Sequence, residues 1–216
     1  MSYGETAWRI GRVWMGWPTR LVARPRAYGR DRVPAAGGVV LAINHLHWLD
    51  VPIVGVLSPR PINFVAKIEA HRIPGLGQLI RSHGTLAVRR GESDREAVRL
   101  MRRAVRDGRV LGLFVEGTRQ LGGRPGKAQP GAAMVALQED VPVVPVAVYG
   151  TQFWKFSDMT RCSVAFGEPI RVIGLPKNGR GYKEATAQIE QRIHALFDWL
   201  GELHARGRPR EATPPV

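Results

Sequence analysis

Short apolar runs bounded by glycines, prolines and charges recur along the chain and predict strands alternating with helices. GGVVLAIN (37–44) is short, rich in β-formers and flanked by glycines, and reads as a buried strand. DVPIVGVL follows as a helix, with Asp50 placed to cap it and the proline tolerated in its first turn. NFVAK and GTLAVRR give two further strands. SDREAVRLMRRAVRDG is a well-marked helix: Ser93 and Glu96 match a capping box, Ala97, Val98, Met101, Ala104 and Val105 line one face, and Gly108 ends it. Arg95, Arg99, Arg102, Arg103 and Arg106 fall on its other face, expected to be solvated. VLGLFVEG (110–117) is the next strand, GAAMVALQ a short helix, and VPVVPVAVYG (141–150) a strand whose prolines argue against a central place. SVAFGEPI adds a strand, and a last helix over about 183–204 carries Ile189, Ile193, Leu196, Phe197 and Leu200 as a stripe. This alternation predicts a single α/β layered domain with a mostly parallel central sheet flanked by helices, its active face where strands end.

Ahead of that domain lies ETAWRIGRVWMGWPTRLVARPRAYGR. Ile10, Val13, Trp14 and Trp17 fall on one helical face with Arg9, Arg12 and Arg20 beside it, and Pro18 is expected to break or bend the helix. Most such helices pack on their own domain, but interleaved tryptophans and arginines equally suit an amphipathic helix at a membrane surface. The chain therefore divides into an N-terminal amphipathic, basic, membrane-associating segment (1–32), a folded domain (33–204) and a tail (205–216). The tail's prolines and charges offer nothing to bury, so it is expected to be disordered.

The formal net charge of +14 changes the picture by demanding an anionic partner: nucleic acid, an anionic membrane, or small phosphorylated molecules. Nucleic acid is disfavoured, because no zinc-finger spacing or RNA-binding aromatic signature is present and the arginines are spread along the chain. One cysteine, Cys162, excludes an internal disulfide and fits a reducing compartment. No run of about eighteen apolar residues and no secretory signal is found, so a cytoplasmic protein without a membrane span is expected.

The candidate chemistry begins with NHLHWLD (44–50), at the exit of the first buried strand. His45 and Asp50 would lie about 140° apart on a continuous helix, so a turn must separate them if they are to meet. With that turn, the carboxylate orients one ring nitrogen and leaves the other free to take a proton from an alcohol. A plain helix cap at Asp50 is the alternative. Zinc on His45, His47 and Asp50 lacks a convincing further ligand, and no metal is expected. In FVEGTR (114–119), a glycine between a glutamate and an arginine at a strand end allows close backbone approach and a guanidinium fork, which suits a phosphate. Glu116 is placed to bond a hydroxyl or to hold Arg119. Arg89 and Arg90 close GTLAVRR, and Lys67 lies in FVAKIEA, so several strand ends carry cations.

The order and spacing of NHLHWLD, GTLAVRR, FVEGTR and VPVVPV resemble the four blocks of the glycerophospholipid acyltransferase family, whose best-known members are the lysophosphatidic acid acyltransferases. The likeness runs from about Val39 to Gly167. It implies phospholipid biosynthesis by a histidine–aspartate acyl transfer, from acyl-coenzyme A or acyl carrier protein to a lysophospholipid hydroxyl, without a cofactor. By position it makes His45 and Asp50 the catalytic pair. It assigns Lys67, Gly84, Arg90, Glu116, Gly117, Thr118 and Arg119 to substrate binding, with Pro142 and Pro145 marking the fourth block. It also implies work at the inner face of the membrane. His47, Ala87, Val115 and Gln120 depart from the usual residues around the acceptor, so a lyso-ornithine lipid or a glycosylated lipid stays open beside 1-acyl-sn-glycerol-3-phosphate.

Overall fold

The structure, a computed structural model, describes residues 8, 11, 13–72, 74–75, 77–78, 84–88, 94–172 and 174–215. Seven strands, β1 (Arg26–Tyr28), β2 (Val39–Ile43), β3 (Ile62–Lys67), β4 (Leu86–Val88), β5 (Val110–Phe114), β6 (Val143–Tyr149) and β7 (Ser163–Phe166), form one sheet in the order β1-β7-β6-β2-β5-β3-β4. Neighbours run parallel except β6 and β7. The helices are α1 (Gly16–Ala23), α2 (Asp50–Leu57), α3 (Ile68–Arg72), α4 (Asp94–Arg106), α5 (Gly131–Glu139) and α6 (Gly179–Ala205).

The unbroken apolar run of β2 has its cause in this layering, since helices cover both of its faces. Val39, Leu41 and Ile43 pack with Ala23 of α1 and with Ile53 and Val54 of α2. Val40 and Ala42 pack with Val105 of α4, Ala133 of α5 and Ile189 of α6. Gly108, at φ 74°, ends α4 as expected, its N–H bonding to Val105 O; Ser93 lies outside the described residues. The arginine face of α4 is not wholly solvated, because Arg102 and Arg106 both pair with Glu139 on α5. Helix α6 starts earlier than its apolar stripe suggests, at Asn178, whose side chain accepts from the N–H groups of Arg180 and Gly181.

Three expectations are corrected. Strand β6 is interior, between β2 and β7, despite Pro145. Its ladder with β7 begins only at Val146↔Phe166, so the donor that Pro145 lacks falls just past the ladder's end, while its carbonyl still accepts from Gly167 N at 2.8 Å. The sheet also begins before residue 33, with β1 pairing to β7. Finally, residues 205–215 of the tail are fastened to this edge, with Pro214 buried and Ala212 packed on a core cluster, and polar groups hold them as well. Arg208 is buried and donates to Arg24 O and Cys162 O, Tyr28 Oη donates to Pro209 O, and Arg32 donates to Pro214 O and Pro215 O.

At the N-terminal side Ile10, Arg9 and Arg12 lie outside the described residues. Helix α1 holds Pro18 in its first turn, where no N–H is needed, and the chain turns at Met15 instead. Trp17 and Leu21 are exposed on it, and Trp14 is exposed just before it. No helix among the described residues is long and apolar enough to cross a membrane.

Candidate active site

The two charged turns meet at the C-terminal ends of β2 and β5. Asn44 leaves β2 with its side-chain amide continuing the ladder to β6: Nδ2 donates to Val148 O at 3.1 Å and Oδ1 accepts from Val148 N at 2.7 Å. The chain then folds back on itself. Asp50, fully buried, opens α2, and its Oδ2 accepts from Leu46 N and His47 N, both at 2.7 Å, and lies 2.9 Å from His45 Nδ1. The cap reading is therefore corrected: the carboxylate serves the turn before the helix and makes no capping bond to the helix itself. A negative charge at a helix start is also favoured by the helix dipole.

His45 is held from several sides. Its N–H donates to Glu116 Oε2 at 3.1 Å, its carbonyl accepts from Gln120 N at 2.8 Å, and its ring stacks on Phe114 at 4.1 Å between centroids. Phe114 stacks in turn on Phe64. Gly112 makes room for this, since a Cβ there would stand 2.6 Å from Ile62 Cγ2 and 2.9 Å from Phe64 Cδ1. With Nδ1 engaged, Nε2 makes no hydrogen bond to any described residue, and the ring lines a cavity of about 1570 Å³. That cavity is walled by apolar groups such as Val56, Phe64, Met101 and Leu113. Gly117, Thr118 and Arg119 stand at its rim, all exposed, and Gly117 takes φ 71°, a conformation suited to glycine.

Glu116 departs from its expected place with the acceptor. Its carboxyl is buried, does not line the cavity, and forms no ion pair with Arg119 among the described residues. Burial pushes it up to about 7, against the pull of backbone N–H groups including that of His45. Its Oε2 holds the histidine's backbone N–H. Burial also lowers the His47 imidazole below its ordinary value; Asp50 opposes this, and Arg119 and His45 add to it.

Gly84 is not brought to the site either. At φ 71° it precedes β4, its carbonyl taking a bond from Asn63 Nδ2 at 2.6 Å and leaving no space for a Cβ. The parallel register Val65↔Leu86 sets it beside the early part of β3, away from the strand ends. Lys67 closes β3, with its side chain outside the description, and Arg90 and Arg89 lie outside the described residues. No group of three or more metal-type ligands occurs among the described residues. Sequence reasoning missed Asn44 and Phe114; the first is a polar residue ending an apolar run, the second an aromatic preceding the charged turn.

A family model described as Acyltransferase matches residues 24–149, spanning β1 to β6 and both turns. The chain belongs to the glycerophospholipid acyltransferase family. It is an O-acyltransferase, and the His45–Asp50 contact lies inside the matched region. It is 27% identical over 183 residues to a 1-acyl-sn-glycerol-3-phosphate acyltransferase of Bacillus subtilis, covering 82% of this chain and 90% of that protein. A lyso-ornithine lipid O-acyltransferase of Pseudomonas aeruginosa is 36% identical over 107 residues, which cover 49% of this chain and 40% of the relative. The fold is shared with a crystal structure of the 1-acyl-sn-glycerophosphate acyltransferase PlsC from Thermotoga maritima. The TM-score is 0.72 at 23% identity, over 94% of this chain and 80% of that one.

Proposed function

We propose that this acyltransferase moves a fatty acyl group from acyl-coenzyme A or acyl carrier protein to the free hydroxyl of 1-acyl-sn-glycerol-3-phosphate, giving phosphatidic acid. The observation that carries this is a histidine with one ring nitrogen fixed by a buried carboxylate and the other free, on the rim of a large apolar cavity beside Arg119. His45 Nε2 takes the hydroxyl proton as the oxygen attacks the thioester carbonyl. The tetrahedral oxyanion collapses, the C–S bond breaks, and the departing thiolate recovers the proton from the imidazolium. Asp50 stabilises that cation while it exists. The apolar walls accommodate acyl chains, and Arg119 pairs with the acceptor's phosphate.

The relatives acting on 1-acyl-sn-glycerol-3-phosphate, which align over most of the chain, favour this acceptor. The higher local identity to the lyso-ornithine lipid enzyme keeps that acceptor as the second reading. Product analysis decides between them: labelled acyl-coenzyme A is offered with lysophosphatidate, lyso-ornithine lipid and a glycosylated lipid. Labelled phosphatidic acid made by the parent and lost in His45→Ala supports the proposal; label on another acceptor alone refutes it. Because such substrates dissolve in the bilayer, the enzyme works as a peripheral protein at the inner membrane face, attached through residues 5–26. Arginines near an anionic leaflet contribute roughly 1 kcal/mol each. Deleting that segment should release the protein from anionic vesicles.

A further inference from the structure

A row of rings that the reaction does not use leads away from the cavity, starting at Trp48. Trp48 lines the cavity and stands 6.1 Å, between centroids, from Trp154, which in turn stands 5.6 Å from His47 and 6.4 Å from Phe156. Among Trp48 and the loop 153–156, three aromatics are open to solvent: Phe156 is 79% exposed, Phe153 57% and Trp48 55%. These rings sit on an ordered scaffold. Trp154 Nε1 donates to Val22 O of α1 at 2.9 Å, Met159 N and Asp158 N both donate to Lys155 O, and Thr160 Oγ1 donates to Phe153 O. Helix α1, tied also to the following segment through Cys162 N and Ala23 O, exposes Trp17 and Leu21, and Trp14 is exposed just before it. Arg20 and Arg24, in and just after α1, and Lys155 and Arg161, in and just after the loop, are exposed cations, with Asp158 an exposed anion between the latter two in sequence.

We propose that the loop Phe153–Phe156, with Trp48, is a second membrane-docking edge that seats an anionic bilayer against the mouth of the cavity. Exposed aromatics interleaved with cations are the composition that settles at the boundary between headgroups and acyl chains. The edge also reaches the apolar cavity through Trp48, which lines it. A bilayer held there delivers the lipid without a passage through water, and the loop sets the depth at which His45 works. This inference rests on the lipid-acceptor reading, but it assigns membrane contact to a segment distant in sequence from residues 5–26, though bonded to α1 in the fold.

The test uses the full chain with vesicles of phosphatidylcholine and phosphatidylglycerol. Cys162 is buried, so Phe156→Cys provides one accessible thiol for an environment-sensitive fluorophore. Its emission should rise and shift to the blue when vesicles are added. Phe156→Ser should bind vesicles about 10-fold more weakly, from the loss of one buried aromatic side chain. Phe156→Leu should stay close to the parent, and Lys155→Glu should weaken binding only to the anionic vesicles. Turnover of short-chain, monomeric substrates should be unchanged in all of them, which shows an intact site. A fluorophore that stays in water while the protein floats with vesicles overturns this inference and leaves attachment through residues 5–26 standing. Unchanged partition of Phe156→Ser, or a self-association that disappears in that variant, overturns it as well.

Discussion

Replacing Asp50 by asparagine isolates the carboxylate's charge from its place in the fold. Two peptide N–H groups, of Leu46 and His47, converge on Oδ2 at 2.7 Å, so the asparagine oxygen is drawn to that position and still receives His45 Nδ1–H. The turn and the tautomer therefore survive, and what disappears is the negative charge beside the imidazolium. At the observed 2.9 Å separation and an effective dielectric of about 20, a unit charge pair is worth about 6 kcal/mol. Spreading of the cation over the ring and its partial development in the transition state reduce this to about 3–5 kcal/mol. The expected loss in kcat is then about 10²–10⁴-fold, within the range of general-base catalysis, with little change in KM. Exchanging charge-assisted for neutral hydrogen bonds should also cost about 1–3 kcal/mol of stability. The assay follows free thiol released from acyl-coenzyme A with lysophosphatidate, alongside a thermal melt. Because the two residues act together, Asp50→Asn combined with His45→Ala should be no slower than His45→Ala alone. A folded Asp50→Asn enzyme within threefold of the parent kcat refutes the role given to the carboxylate.

Arg119→Ala should raise the acceptor KM with kcat nearly kept, because an exposed guanidinium at the rim grips ground state and transition state alike; an unchanged KM contradicts the contact. Glu116 titrates at about 7 in the fold against an ordinary 4.5, so the folded chain holds the extra proton. Its contribution to stability is complete below about 4.5 and declines as the pH rises to about 7, by at most roughly 3 kcal/mol. Glu116→Gln should abolish that decline in denaturant titrations run between pH 4.5 and 7.5, and an identical pH slope in both proteins contradicts it. Gly112→Ala should push Phe64 and, through it, the ring stack beneath His45, costing about 1–3 kcal/mol and lowering turnover. A melting point and kcat equal to the parent's would count against that packing path.

The alternation of strands and helices was legible because β2 and β5 are short continuous apolar runs, as strands covered on both faces require, while α4 carries one apolar face at helical spacing. The His45–Asp50 turn was legible for a related reason: polar residues directly after a buried strand must find partners close at hand. Strand β1 was not, since three residues carry too little pattern to distinguish a strand from a loop. The tail escaped notice because much of its attachment runs through guanidinium-to-carbonyl bonds, and the few apolar groups it buries, Ala212 and Pro214, form no pattern in the sequence. Pro145 misled because the rule against proline concerns a missing donor, and here the neighbouring strand has already stopped where that donor would point. Glu116 looked like a ligand contact from its neighbours in sequence, whereas the turn at Gly117 leaves Arg119 outside and the carboxyl beneath. The aromatic edge at 153–156 went unread because four residues with no period show nothing until Trp48 is set beside them.

The fastening of the tail by Arg32 and Arg208 has a consequence under changing ionic strength. Added salt screens exposed charges that face one another across water, and so loosens the grip of surface arginines on lipid phosphates. Guanidinium groups lodged against peptide oxygens are sheltered from that screening. On the proposed membrane attachment, a salt wash should accordingly release the protein with residues 208–215 still clasped to the segment 24–32, recoverable in active form once the brine is dialysed away.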